Sequence, residues 1–356
     1  MKLYFPKSHY DKRFRGALFP LLKAFIKPDS FTDEERQRIY YLSKSDFEFV
    51  ANIQDSEIVI LPMAWYYYRT TNQMLKAKKL VDYAQACHKE IWSFNAGDYG
   101  VKIPSYFKGK VFRMSGYVTQ YRSGHRGIPA FIGDYYKKNQ QAFKPSEYSK
   151  KPKVGFCGQT NHSNLNALKE MGKVGLRNLA SYLCLSNDEP QEVMSSSYLR
   201  STALQYLENH PKIETNFICR QQYRAGAHTA EARAKTTQEF YDNIQESMYV
   251  VCARGAGNFS VRFYETLMMG RIPVYIHTKD LLPLVENIDW KSHVVWVEAN
   301  EFANIGEKLL NFHEKLTPNK LRDLQQANRE LWQKQLTIGG FFKNTLEQFN
   351  NRVDEK

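Results

Sequence analysis

The sequence has no long apolar run. Nowhere do about 18 hydrophobic residues follow one another, which excludes a helix that spans a bilayer. The N-terminal segment up to Ser30 also lacks the continuous apolar stretch of a secretory leader. Cysteine is scarce. The five are Cys87, Cys157, Cys184, Cys219 and Cys252, widely spaced and with no C-x-x-C pair. That excludes a disulfide framework and a zinc site of the usual spacing, and it fits a reducing, cytoplasmic setting. No internal repeat or low-complexity tract is present. No G-x-G-x-x-G follows the early strands, so the dinucleotide fingerprint is missing.

Rings and positive charge are plentiful. The chain has 356 residues, of which 14% are aromatic, with 23 Tyr and 22 Phe. A chain that rich in rings can bury a core, which excludes global disorder. Its length suggests two domains. The formal charge is +13, and it is unevenly placed. Residues 1–150 hold 25 Lys and Arg against 14 Asp and Glu; residues 151–356 hold 25 against 23. The excess belongs to the N-terminal half. Such a half could meet nucleic acid, an anionic membrane surface or an anionic substrate. No nucleic-acid signature accompanies it, and the basic residues are scattered.

Short apolar strands alternate with helical spacing. Leu3–Phe5, Glu57–Leu61, Ile91–Phe94 and Val111–Met114 read as strands, the first two ended by Pro6 and Pro62. Thr32-Asp33-Glu34-Glu35 reads as a helix cap, and 71–90 as a helix with Leu75, Leu80 and Ala84 on one side. The polar stretch Ala142–Pro152 reads as a linker. The pattern then restarts. Strands are expected at Lys153–Gly158, Thr215–Cys219, Met248–Ala253, Ile272–Ile276 and Val294–Val297, and helices at Asn164–Leu185, Glu192–Glu208 and Thr229–Glu246. Residues 318–349 read as one long helix or a pair broken at Gly339-Gly340. The expected class is α/β with parallel sheets. The expected domains are 1–145 and 146–330, followed by a C-terminal helix over 331–356 that returns towards the first domain.

The informative segment is Met248–Ile276, a strand, a glycine loop, a helix, a turn and a strand. Arg254 stands at the strand's end, and Gly255 and Gly257 let the backbone bend and approach a ligand. Asn258 and Ser260 lead into a helix over Val261–Met269, which Gly270 stops. Free N–H groups at that helix start favour a phosphate. Arg254 and Arg262 add forked donors suited to a diphosphate. Glu265, one turn past Arg262, can accept from the hydroxyls of a ribose. The same residues also fit an ordinary glycine loop and a surface ion pair.

This segment resembles the C-terminal signature of the exostosin-like glycosyltransferases, glycosyltransferase family 47. The matching residues are Arg254-Gly255, Ser260-Val261-Arg262, Glu265-Thr266-Leu267 and Gly270-Arg271-Ile272-Pro273-Val274. Leu282-Pro283, Ile288-Asp289-Trp290 and Val294–Val297 continue it. Asp55–Pro62 and Asn95-Ala96-Gly97-Asp98 echo two upstream segments, with Tyr99 where the family has histidine. The resemblance implies the GT-B architecture, two Rossmann-like domains facing across a cleft. It implies an inverting transferase whose cosubstrate is a nucleotide sugar, usually a UDP-sugar, held by the second domain. The acceptor, a saccharide or lipid-linked saccharide, would sit on the first domain. The sequence has no D-x-D triplet, the element with which metal-dependent transferases hold a divalent ion. No metal or other cofactor is therefore expected.

Inverting transfer needs a base near the acceptor hydroxyl and charge stabilisation for the departing diphosphate. For the second role the expected residues are Arg254, Arg262 and the 255–260 loop, with Arg220 and Arg224 behind them. Gly158, in the glycine turn after the strand at 153, can approach the donor through its backbone, with Asn161 and His162 close by. For the base, Asp98 and Asp11 lead, then His9; Asp134 and His125 stand further back. Trp65–Tyr68 is a ring cluster suited to a sugar face or to a core. The basic first half is expected to meet an anionic glycan or the inner face of a membrane carrying a lipid-linked acceptor. The competing reading is a polyanion- or nucleic-acid-binding protein that uses the same half.

Overall fold

The computed structural model describes residues 1–354, excepting the side chains of 223, 224 and 350–354. The first unit holds strands β1 (Lys2–Tyr4) and β2 (Glu48–Phe49) around helix α1 (Asp33–Tyr40). Then come β3 (Ile58–Ile60), α2 (Trp65–Thr70), α3 (Met74–Ala86), β4 (Glu90–Asn95), β5 (Lys110–Arg113) and β6 (His125–Gly127). Thr32 caps α1 as its sequence suggests, in a reciprocal pair with Glu35. The six strands run parallel in the order β2-β1-β3-β4-β5-β6.

After the short α4 (Tyr135–Lys138), the second unit opens with β7 (Lys153–Gln159). It continues through α5 (Asn164–Tyr182), α6 (Ser196–Glu208), β8 (Glu214–Arg220), α7 (Ala230–Gln245), β9 (Tyr249–Cys252), α8 (Val261–Met268) and β10 (Ile272–His277). The chain closes with α9 (Trp290–His293), β11 (Val295–Glu298), α10 (Ile305–His313), α11 (Pro318–Leu331) and α12 (Ile338–Asp354). This sheet is also parallel, in the order β11-β10-β9-β7-β8. Two parallel Rossmann-like sheets in one chain are the expected GT-B class.

Strand order decides where a ligand can sit. The chain moves from β7 outward to β8, then returns to the other side of β7 as β9. The strand order therefore reverses between the parallel β7 and β9, and loops leaving their carboxyl ends diverge there. That divergence makes a crevice in open parallel sheets.

Three details of the helices differ from the sequence reading. The helix expected over 71–90 is α3 alone, Met74–Ala86, because Asn72 takes a left-handed conformation, φ 56°, and parts it from α2, which ends at Thr70. The buried stripe of α3 is Ala77, Leu80, Val81 and Ala84, and Leu75 faces outward. The C-terminal helices part at Thr337, which is extended, and not at Gly339-Gly340. Those glycines lie inside α12, where a Cβ would strike the carbonyl oxygens of Tyr41 and Lys334. They permit close packing and do not break the helix.

α12 crosses back to the first unit. Its Phe341 and Phe342 join Phe19, Trp92 and Phe112 in that unit's core. Ring centroids lie 5.8 Å apart for Phe112–Phe342 and 4.9 Å for Trp92–Phe112. Trp65, Tyr67 and Tyr68 are buried in the same core, so this ring cluster packs and does not present a sugar face. A separate cluster joins Tyr135 and Tyr136 of α4 to Phe263 and Leu267 of α8 and to Trp332. Buried polar ties add to it. Arg113 meets Glu189 at 2.6 Å, and Asp134 meets Arg329 at 2.6 Å. No described helix is long and apolar enough to cross a membrane.

Candidate functional site

The main cleft lies at the carboxyl ends of β7 and β9, with a volume of about 1660 Å³ counting its open mouth. Cys157, Gly158 and Gln159 come from the end of β7. The loop Gly255–Ser260 comes from the end of β9, and Arg262 and Glu265 from α8. Arg220 comes from the end of β8. Across from them stands Asp98, on the exposed loop after β4. Residues scattered through the sequence thus meet because each follows a parallel strand.

Local packing explains the glycines. A Cβ on Gly158 would come within 2.5 Å of the Arg262 guanidinium. A Cβ on Gly257 would strike the carbonyl oxygen of Asp98. Gly158 makes room for an arginine, and Gly257 lets the two units touch at the cleft. Gly270 has φ 63° and ends α8 in the left-handed conformation that favours glycine.

Arg262 is the central cation. Its Nη2 donates to the Cys157 carbonyl at 2.7 Å. Its guanidinium lies over the Phe156 ring at 4.2 Å and near Phe240 at 5.6 Å. Burial pushes its pKa down. Arg200, from α6, donates to the carbonyls of Gln159 and Arg254, the latter at 3.0 Å. Burial, with Arg262 nearby, pushes it down to about 10. The Nε atoms of Arg200, Arg254 and Arg262 have no protein partner. Among the described ion pairs none includes these three arginines. Glu265 favours the charge on Arg262 and Glu170 that on Arg200, but burial outweighs both, and a bound anion would relieve the cost of burying these cations. Arg220 differs: Glu239 holds it at 2.8 Å.

The start of α8 adds to this field. Ser260 occupies the N-cap position, and its side chain makes no capping bond. Glu265 accepts from the Tyr241 hydroxyl at 3.5 Å. Burial, then Glu265, raises the Tyr241 pKa. The site therefore joins anion-binding donors to a carboxylate one helical turn away, next to the rings of Phe240 and Tyr241.

Other expected residues lie elsewhere. Arg254 is buried beneath the loop, donating to the Ala256 carbonyl at 3.4 Å. Asn258 is fully buried and tied to Gly116 and Thr278 at 2.9 and 3.0 Å, so it joins the two units. His9 is buried against the Tyr68 hydroxyl at 2.9 Å, and burial lowers its pKa to about 4. Asp11 caps a 3-10 turn and pairs with Arg13 at 2.8 Å. His125 sits 3.2 Å from Arg113, its pKa lowered to about 4 by burial and then by that arginine. Asp134 is bound by Arg329 and by the Tyr41 hydroxyl. Asn161 accepts from the Ser163 N–H at 2.9 Å, and His162 is exposed. The Arg224 side chain lies outside the described residues. The sequence reading did not contain Arg200, Phe240 or Tyr241. They sit on α6 and α7 with no spacing signal, and only the fold brings them to the cleft.

Comparison with known proteins gives limited likenesses. No family model matches the chain. An exostosin-1 homolog of Caenorhabditis elegans is 28% identical over 119 residues. The match takes in 33% of this chain and 30% of that protein. Among solved structures, TarM of S. aureus with fondaparinux, α-GlcNAc-glycerol and UDP aligns at TM-score 0.39 and 9% identity. That alignment covers 82% of this chain and 55% of TarM. A GtfA/B complex bound to UDP and GlcNAc aligns at TM-score 0.29 and 10% identity, over 82% of this chain and 56% of that one. The fold class stands on this chain's own sheet topology.

Proposed function

We propose that this chain is a glycosyltransferase of the exostosin-like type. It moves a sugar from a nucleotide-sugar donor, a UDP-sugar, to a saccharide or lipid-linked saccharide. The observation that carries the reading is one cleft, at the reversal of the second sheet, that holds Arg262, Arg200, the 255–260 loop and Glu265. The diphosphate would lie against Arg262 and the start of α8. Glu265 would accept from the ribose hydroxyls.

Inverting transfer is an in-line displacement. The acceptor oxygen bonds to the anomeric carbon as the bond to the diphosphate oxygen breaks. Asp98, facing the donor wall, would take the acceptor proton. The arginines and N–H groups would take the charge that develops on the leaving diphosphate, with no divalent ion required. The exostosin likeness covers part of the chain only, and it supports the transfer chemistry more than any one acceptor.

Calorimetry with UDP tests the donor site. Arg262→Ala and Glu265→Ala are each expected to weaken binding at least about tenfold, the scale of a lost charge-assisted hydrogen bond. Binding unchanged in both variants would remove this site from the account. Transfer that stops in EDTA and returns with a divalent ion would overturn its metal independence.

A further inference from the structure

α5 is a 19-residue helix that buries only Ala167 and Ser181. Its outer face carries Leu165, Leu168, Leu176 and Leu179, continued by Leu183 at its C-cap, exposed at 72, 63, 70, 54 and 60%. Their spacing of three, eight, three and four residues keeps them on one stripe. Leu185, just beyond, is 78% exposed, and Tyr182 is 70% exposed. Gly172 and Gly175 lie along the same side, with nothing within 4 Å of where a Cβ would be. Scattered exposed leucines are ordinary on a protein surface. A continuous stripe of them on one helix is not.

Charge says what covers it. Lys169 and Lys173 flank the stripe, both exposed, and neither is in a described ion pair. Arg177 continues the basic edge, held over the Tyr99 ring at 3.8 Å and 3.9 Å from Asp188. The one acid of the helix, Glu170, is turned to Ser195 and Ser197 at 2.6 and 2.8 Å. The opposite edge offers Met171, Asn178 and Tyr182, with no carboxylate. A second copy packed stripe to stripe would find no acid on α5 to answer its lysines. A leucine face beside a basic row is the pattern of a helix lying in the interface of an anionic bilayer.

We propose that α5 docks this protein on an anionic lipid surface. The leucine stripe enters the headgroup–acyl boundary, and Lys169 and Lys173 meet lipid phosphates. α5 follows β7 after a four-residue loop, and β7 ends in the cleft, so the docked helix starts beside the cleft. Docking does not depend on the transferase reading, because no α5 residue lines the cleft.

Vesicle co-sedimentation of the full chain tests it, at about 0.15 M salt. The probes are phosphatidylcholine vesicles with and without about 30% phosphatidylserine. The wild type is expected to bind the anionic vesicles at least tenfold more tightly than the neutral ones. Leu168→Ser/Leu176→Ser should lose most binding to both, and Lys169→Glu/Lys173→Glu should lose the preference for the anionic ones. Leu75→Ser, exposed but on α3, should bind as the wild type. Circular dichroism and thermal unfolding of the same variants check that they are folded. No vesicle binding by the wild type overturns the proposal. So does binding unchanged by the leucine pair. So does a wild-type dimer in sedimentation velocity that the leucine pair dissociates, which would assign the stripe to a second copy.

Discussion

At Asp98 the proposed chemistry comes down to one carboxylate. The three leading base candidates have different surroundings. His9 is neutral and enclosed, its ring spent on Tyr68. Asp11 is spent on Arg13, whose hydrogen bonds lower its pKa. Asp98 is the candidate that lines the cleft. Asp98→Asn should therefore lower kcat by about 10²–10⁴-fold, the usual worth of a general base. KM for the donor should change little, since the donor groups lie on the other wall. Asp11→Asn should leave both constants near wild type. Steady-state kinetics on the two variants decides between them, and the reverse ranking would move the base to Asp11. The residues of this site were partly legible. The glycine loop, Arg262 and Glu265 are close in sequence, so their spacing points to the candidate site. Arg200 and Asp98 join it from elements far apart in the chain. No local pattern could rank Asp98 above Asp11.

The elements were legible where periodicity is strong. β7, β9 and β10 are buried on both faces and read as apolar runs. The misses came where backbone conformation, and not side-chain pattern, sets a boundary, as at Asn72 and Thr337. The two-residue β2 was missed because two residues carry no period. Two elements of the first unit also set its acid response. His9 packs on Tyr68 of α2, and His125 in β6 packs on Arg113 of β5. Burial holds both pKa values at about 4, below the ordinary 6.5. The folded protein keeps these rings neutral while the unfolded chain protonates them, so acid favours unfolding. The stability is complete above about pH 6.5 and is lost as pH falls towards 4. Allowing for solvent screening, each ring contributes about 1–2 kcal/mol. Tm measured from pH 7.5 down to pH 4.5 should fall in the wild type. His9→Asn, which can keep a bond to Tyr68, should fall less steeply. Equal slopes would mean that His9 takes no part.

For the whole molecule, the first unit is not closed by its own residues. Its core holds Phe341, Phe342 and Leu346, which follow the entire second unit in the chain. The sequence reading expected a C-terminal helix that returns towards the first unit, but not that its rings complete that unit's core, because α12 is an ordinary amphipathic helix in sequence. Its partner surface exists only once β4 and β5 have set Trp92 and Phe112 beside Phe19. Phe342 is fully buried, with rings of Phe19, Phe112 and Phe341 at 5.5, 5.8 and 5.0 Å. Removing it leaves a cavity in the first unit that costs about 3–5 kcal/mol. The buried pairs Arg113–Glu189 and Asp134–Arg329 couple that loss to the rest, since each joins residues far apart in sequence. The wild type should therefore unfold in one calorimetric transition. Phe342→Ala should lower its Tm by several degrees and broaden or split it, as the first unit loosens before the second. The second unit's core contains no α12 residue, so its own transition should stay near the wild-type temperature. Two transitions already present in the wild type would show that the units fold separately and that α12 is only laid against the first.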